Sequence, residues 1–262
     1  MLALGGSGCA RVPEASSGAE ARARFLRAHS APAAPIRGVG TVDVDLPERG
    51  GSFEARWGST GDSLVLIGYS GPVRVLDATM LGDSILVAVR TQDFGVAGTL
   101  RPTDGFGVEG LRFLLRPWEF GAPWMREALE RAAVEPAGDG WRLRGTAATG
   151  AGEVRFTLDL SSRAAPVRLE LSRAGDPSRR ATLRYGTPRG YAAGAFPRWV
   201  EWSRLDARVR LDLRSVDRLP GGTLRLLPGA PTECRIVALA DPEGREFLER
   251  VLGPALTTEA PR

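Results

Sequence analysis

The chain has 262 residues, 43% of them hydrophobic and 25% charged, with a formal net charge of +4 and 35 basic residues that are all arginine. That length buries a substantial core and that composition is ordinary for a globular protein, while the arginines are scattered among acids and do not form the clustered charge that phosphate binding needs. Nucleic acid is therefore excluded as a partner, no run approaches the ~20 apolar residues of a membrane-spanning helix, and two cysteines, Cys9 and Cys234, are too few for a disulfide framework.

The chain begins MLALGGSGC, followed by the polar, proline-containing ARVPEASSG. Apolar residues, then Ser7 and Gly8, then Cys9 resemble a bacterial lipoprotein lipobox, with Gly6 where that motif usually has leucine. The resemblance implies that residues 1–8 are a truncated signal peptide, that Cys9 is the lipidation site and that residues 9–17 are a tether. Ala10 and Arg11 follow the cysteine with no aspartate, which by the same resemblance implies the outer membrane, facing the periplasm of a bacterial cell envelope.

Residues 18–253 are expected to form one domain, and 254–262 a disordered tail. SGAEARARFLRAH reads as an amphipathic helix capped by Ser17, with Ala21, Phe25 and Ala28 on one face. TVDVDL alternates with Val42, Val44 and Leu46 inward, which leaves Asp43 and Asp45 on a wet face. SFEARW places Phe53, Ala55 and Trp57 inward, and GDSLVLIGYSGPVRVLDATMLGDSILVAVRT holds three apolar runs. Residues 106–134 are aromatic and helical, divided by Pro117 and Pro123, with Trp124, Met125, Ala128 and Leu129 forming a stripe. WRLRG, EVRFTLDLSS, PVRLELSR, ATLRYG, RWVEWSR, ARVRLDLRSV and TLRLL read as further strands, and Asp241-Pro242 opens a last helix. About ten or eleven evenly spaced strands without strand–helix alternation indicate a mainly β (α+β) fold, a single antiparallel meander curled into an unclosed barrel with helices as lid or plug.

Patterns that suggest chemistry fail on context. GFGVEG at residues 105–110 has dinucleotide-loop spacing but follows RPTD instead of a strand. Ser70 in GYSGP lacks the glycine spacing of a nucleophile elbow, and the single histidine, His29, reads as a surface residue on the first helix. Metal ligands are too few and Cys234 reads as a small buried hydrophobe. No catalytic residue, metal or cofactor is expected.

The order lipobox, helix, long meander and helical interruption resembles the LolA/LolB superfamily of lipoprotein carriers and receptors. GVGTVDVDL resembles that family's first strand, and GYAAGAFPRWVEWSRLDARVRLDLRSVDRL its late hairpin with Pro197 in place; the likeness spans about residues 18–220. It implies a non-enzymatic, membrane-anchored lipoprotein that holds the acyl chains of a lipid or lipidated protein in an apolar cavity. The expected lining comes from Phe53, Trp57, Leu64, Leu66, Val73, Val75, Ile85 and Val87 on strands. Phe113, Trp118, Trp124 and Leu129 contribute from the helical interruption, and Tyr69 or Pro72 would tip a projecting loop. The alternative is a structural or sensory envelope lipoprotein with a packed interior that docks a protein partner.

Overall fold

Strict alternation of apolar and charged residues requires each strand to bury one face and wet the other, and here one long sheet does so. The computed structural model describes residues 14–29, 35–46, 49–61, 63–100, 113, 116–150, 152–173, 176–204, 207–219, 224 and 231–252. Cys9, residues 1–8, most of the tether, GFGVEG and the tail lie outside them, as does TLRLL apart from Leu224.

Helix α1 (Gly18–His29) is followed by a meander of β1 (Ile36–Leu46), β2 (Arg49–Ser59), β3 (Ser63–Ser70), β4 (Val73–Leu81), β5 (Ser84–Val89) and β6 (Phe94–Thr99). The chain then passes through α2 (Pro123–Arg131) to β7 (Ala133–Ala137), β8 (Gly140–Thr149), β9 (Gly152–Leu160), β10 (Pro166–Arg173) and β11 (Asp176–Tyr185). A small hairpin, β12 (Pro188–Tyr191) and β13 (Gly194–Pro197), precedes β14 (Trp199–Arg204) and β15 (Ala207–Arg218). β16 (Arg235–Ala238) and helix α3 (Pro242–Leu252) follow.

Fourteen strands among the described residues form one sheet in the order β16-β6-β5-β4-β3-β2-β1-β15-β14-β11-β10-β9-β8-β7. The sheet is not closed, and the fold is an unclosed barrel with helices. Every pairing is antiparallel except β16, which runs parallel to β6. β6 and β7 are consecutive strands near opposite edges, and described residues between them, Phe113 and 116–132 with α2, pack on the inner face as a crossing segment. This is the topological origin of the covered inner face.

The strand number exceeds the ten or eleven expected. FGVAGT, AVEPA and RIVA are short and alternate weakly, and Val134 belongs to β7 and not to the preceding helix.

Two cross-strand rows carry the core. Val134, Leu143, Leu158, Leu169, Leu183, Trp202, Val209 and Val44 are successive register partners from β7 through β15 to β1. Leu143, Leu158, Leu169 and Leu183 have no exposed surface, and each contributes about 2 kcal/mol of apolar burial. The second row runs Val216, Gly38, Trp57, Leu66, Ala78, Val87, Val96 and Val237. The outer face carries ion pairs such as Arg142–Asp159 at 2.6 Å and Arg208–Asp45 at 3.3 Å, each worth at most about 1 kcal/mol. Asp43 and Asp45 are exposed there.

The helices begin where the sequence marks them. Ser17 Oγ accepts the Glu20 N–H at 3.2 Å and Glu20 in turn accepts the Ser16 N–H at 2.7 Å, closing the first turn of α1. Pro123 and Pro242 occupy the opening positions of α2 and α3, where a missing N–H costs nothing.

Candidate functional site

The segment that crosses the inner face is held by aromatic stacking. Phe120, 1% exposed, packs edge-on to Phe25 of α1 at 4.9 Å and to Phe113 at 5.3 Å, and lies 5.8 Å from Tyr185 of β11. Tyr185 Oη donates to the Pro117 carbonyl at 3.0 Å, and burial holds that phenol well above its usual pKa. His29 corrects the sequence reading: it is half-buried, 4.7 Å from Phe25 and 5.4 Å from Phe120, and burial pushes its pKa down to about 4.

A buried polar knot ties the same segment to the end of β2. Arg116 Nη1 donates to Thr60 O at 2.7 Å, Gly61 O at 3.0 Å and Ser59 Oγ at 3.2 Å, and pairs with Glu119 Oε2 at 3.1 Å. Burial drives the Glu119 carboxyl up to about 7, against smaller opposing contributions from Arg116 and Ser59. Beside the knot the rings of Trp57 and Trp118 lie 5.1 Å apart and tilted by 38°. Trp57 lies over Gly38 so closely that any Cβ there would collide with the indole. Trp57 Nε1, Trp118 Nε1 and Glu119 Oε1 are buried and find no hydrogen-bond partner among the described residues. Such atoms cost about 1–3 kcal/mol each when left unpaired.

Glu119 has a consequence for stability. Its folded pKa, about 7, lies above the ordinary 4.5, so the folded protein holds the extra proton between those values. The stabilisation is complete below about pH 4.5 and is lost as pH rises through 7. Glu119→Gln is neutral throughout, so urea denaturation of variant and wild type at pH 4.5 and pH 7 should show the variant gaining about 3 kcal/mol relative to wild type. A difference that does not change with pH would contradict the buried, protonated carboxyl. His29 acts in the opposite sense, its contribution being present above pH 6.5 and lost as pH falls toward 4, so wild type alone masks both.

The predicted lining residues fall into two buried clusters and a strip between them. Trp57, Phe113, Trp118 and Leu129 belong to the cluster under α1 and α2, with Phe53, Leu66 and Trp124 half-buried against it. Leu64, Ile85 and Val87 belong to a second cluster, which Phe247 of α3 and Leu239 complete. Along the second cross-strand row, half-buried Leu66 and Ala78 separate buried Trp57 from buried Val87. Phe53 and Leu76 extend the half-buried strip.

Val73 and Val75 lie outside both clusters, at 58% exposed and half-buried respectively. A register shift at Gly68/Tyr69 leaves Val75 unmatched and sends Leu76, Ala78 and Met80 onto the inner rows in their place. Pro72 is exposed at the β3–β4 turn beside Gly71, whose φ of +59° suits glycine, while Tyr69 is half-buried with the Arg56 guanidinium 4.9 Å over its ring. The polar knot escaped the sequence reading because Arg116 and Glu119 are residue types that default to the surface. Its only sequence signal is their place between Phe113 and Phe120 in an aromatic stretch.

Among the described residues no group of three or more His, Cys, Asp or Glu could hold a metal, and no helix is long and apolar enough to cross a membrane. Ser70 is exposed at a hairpin end, and Cys234 is buried with its thiol pKa raised by that burial.

No family model and no curated protein matches the chain in sequence. Solved structures match it in fold. A candidate outer membrane lipoprotein-sorting protein domain from Vibrio parahaemolyticus aligns over 76% of this chain and 92% of its own, with 10% identity and a TM-score of 0.50. A DUF1329 family protein from Desulfovibrio piger aligns over 78% and 94%, with 8% identity and a TM-score of 0.51. A LolA superfamily protein from Nitrosomonas europaea aligns over 82% and 96%, with 11% identity and a TM-score of 0.49. The chain shares its unclosed-barrel fold with the lipoprotein-sorting protein domain and the DUF1329 family protein. At these identities the likeness is one of fold.

Proposed function

We propose that this chain is a lipid-anchored envelope protein that holds the acyl chains of a lipid or of a lipidated protein against its inner face, without chemistry. The observation that carries the reading is the half-buried apolar strip of Phe53, Leu66, Leu76 and Ala78 between two helix-covered clusters. A half-buried apolar strip of this kind is covered further by an apolar occupant. Each methylene removed from water is worth about 0.8 kcal/mol, so a 16-carbon chain needs cover worth roughly 12 kcal/mol to leave a bilayer. Passing it on requires only a recipient of higher affinity. The shared fold with a lipoprotein-sorting domain supports this class of ligand.

Cys9 supplies the anchor in this reading, in a bacterial outer membrane facing the periplasm, with residues 9–17 as the tether and the exposed Val73 and Pro72 turn as the loop that meets the partner or membrane. One observation favours a second reading, a packed scaffold that docks a protein partner. α3 already fills one end of the inner face, with Phe247 stacked 4.7 Å from Phe94.

Titration of the chain with methyl cis-parinarate, a fluorescent acyl ester, tests the first reading, which expects saturable binding; no binding supports the scaffold. Expressed behind a complete signal peptide, wild type should fractionate with membranes and Cys9→Ser should be soluble. A Cys9→Ser protein that stays with the membrane would remove the anchor.

A further inference from the structure

We infer that Trp57 and Trp118 form a polar anchor within the apolar inner face, donating their indole N–H groups to the ester carbonyl oxygens of an acylated ligand. The inference rests on the lipid-binding reading and names the part of the ligand that is not hydrocarbon.

Among the described residues five buried side-chain polar atoms lack a hydrogen bond, and three of them gather here: Trp57 Nε1, Trp118 Nε1 and Glu119 Oε1. Both indoles are more than nine-tenths buried, at 5% and 8% exposed. An indole nitrogen is a donor only, so a ligand that satisfies the pair must bring acceptors. The two rings lie 5.1 Å apart on two different elements, β2 and the crossing segment, so the two unpaired donors belong to neighbouring side chains.

The spot is next to the half-buried apolar surface. Leu66 is the register partner of Trp57, and half-buried Phe196 of β13 packs edge-on to Trp118 at 6.1 Å. An acyl chain lying on the strip would therefore bring its first polar group to the tryptophans.

The chemistry favours a neutral acceptor. The adjacent cation, Arg116, is already engaged by Glu119, Ser59, Thr60 and Gly61 and has no N–H turned to the tryptophans among the bonds that hold it. A phosphate or free carboxylate would be buried without a counter-charge. An ester carbonyl carries no such penalty and offers its oxygen to a neutral N–H. Glyceride esters and the diacylglyceryl ester of a lipid-modified cysteine share this group.

The test compares dioctanoylglycerol with its dioctyl ether, which has the same chains but no carbonyl. Calorimetric titration of the full chain should give about tenfold tighter binding of the ester, two neutral hydrogen bonds being modest individually. Trp57→Phe and Trp118→Phe keep an aromatic ring and remove one donor each. Each should weaken ester binding about threefold and leave ether binding unchanged, the retained ether affinity showing that the fold is intact. Equal affinity of ester and ether in wild type, or equal weakening of both in the variants, overturns the anchor while leaving an apolar groove. Failure of wild type to bind either compound removes the lipid-binding reading and the anchor with it. A dioctanoyl-glyceryl-cysteine peptide separates the two sources. Tighter binding than dioctanoylglycerol assigns the ester to a lipid-modified protein, and equal binding assigns it to a glycerolipid, both with the tryptophan dependence retained.

Discussion

Phe120→Ala should lower the thermal unfolding midpoint by roughly 10 °C, from the loss of about 3–5 kcal/mol that large aromatic deletions in a core produce. The ring is 1% exposed and joins α1 through Phe25, the crossing segment through Phe113 and the sheet through Tyr185. Its removal leaves a cavity that cannot collapse from all three sides at once, because two of the neighbours belong to regular elements fixed elsewhere. Far-ultraviolet circular dichroism during heating measures the shift. A change of under about 2 °C, less than one lost methylene pair would give, would mean that the crossing segment does not depend on this contact.

Leu66→Glu should abolish most acyl binding while leaving the fold intact. Leu66 is half-buried in the strip, so in the free protein a carboxylate there reaches water. A bound chain would cover it, and the carboxyl would have to take up a proton, which at pH 7 costs about 4 kcal/mol for an ordinary glutamate. The methyl cis-parinarate affinity should therefore fall roughly several hundredfold. Leu66→Ala, which removes area and adds no charge, should cost no more than about tenfold. A Leu66→Glu protein that binds within about threefold of wild type would place the ligand elsewhere.

These two residues illustrate how unevenly the sequence exposes its fold. The inner rows were legible where alternation is strict: EVRFTLDL buries Val154, Phe156, Leu158 and Leu160, and in the strands of VDVDL and ARVRLDL Val42, Leu211 and Leu213 are buried with Val44 and Val209 half-buried. Proline marked the starts of α2 and α3 because few positions accept it. β6, β7 and β16 were not legible, since FGVAGT, AVEPA and RIVA are too short or too poor in large apolar residues to show a period. β16 also pairs with β6 across more than a hundred residues, a contact that no local pattern encodes. Val73 and Val75 follow the alternation of their neighbours, yet the register shift at Gly68/Tyr69 removes them from the inner rows.

The candidate site was legible in its aromatic residues and not in its polar ones. Trp57, Trp118 and Phe113 are apolar residues in apolar contexts, and they are buried. Arg116 is 4% exposed because three oxygens from residues 59–61 meet it, an arrangement set by a crossing segment about fifty-five residues away in sequence. His29 is withdrawn from water by the same segment, through Phe120. Burial of charged or titratable groups by distant chain is what single-sequence reading handles least well, and here it surrounds the proposed ligand position.

Native mass spectrometry of the Cys9→Ser chain, purified without detergent, distinguishes a ligand-filled inner face from a packed one. A lipid carrier should give a mass above that of the polypeptide, which organic extraction resolves into phospholipid or acylated peptide, and uptake of added dioctanoylglycerol by any empty fraction. A clean polypeptide mass that takes up no added lipid would contradict the carrier reading, and would make the inner face a packed core on a scaffold that docks a protein.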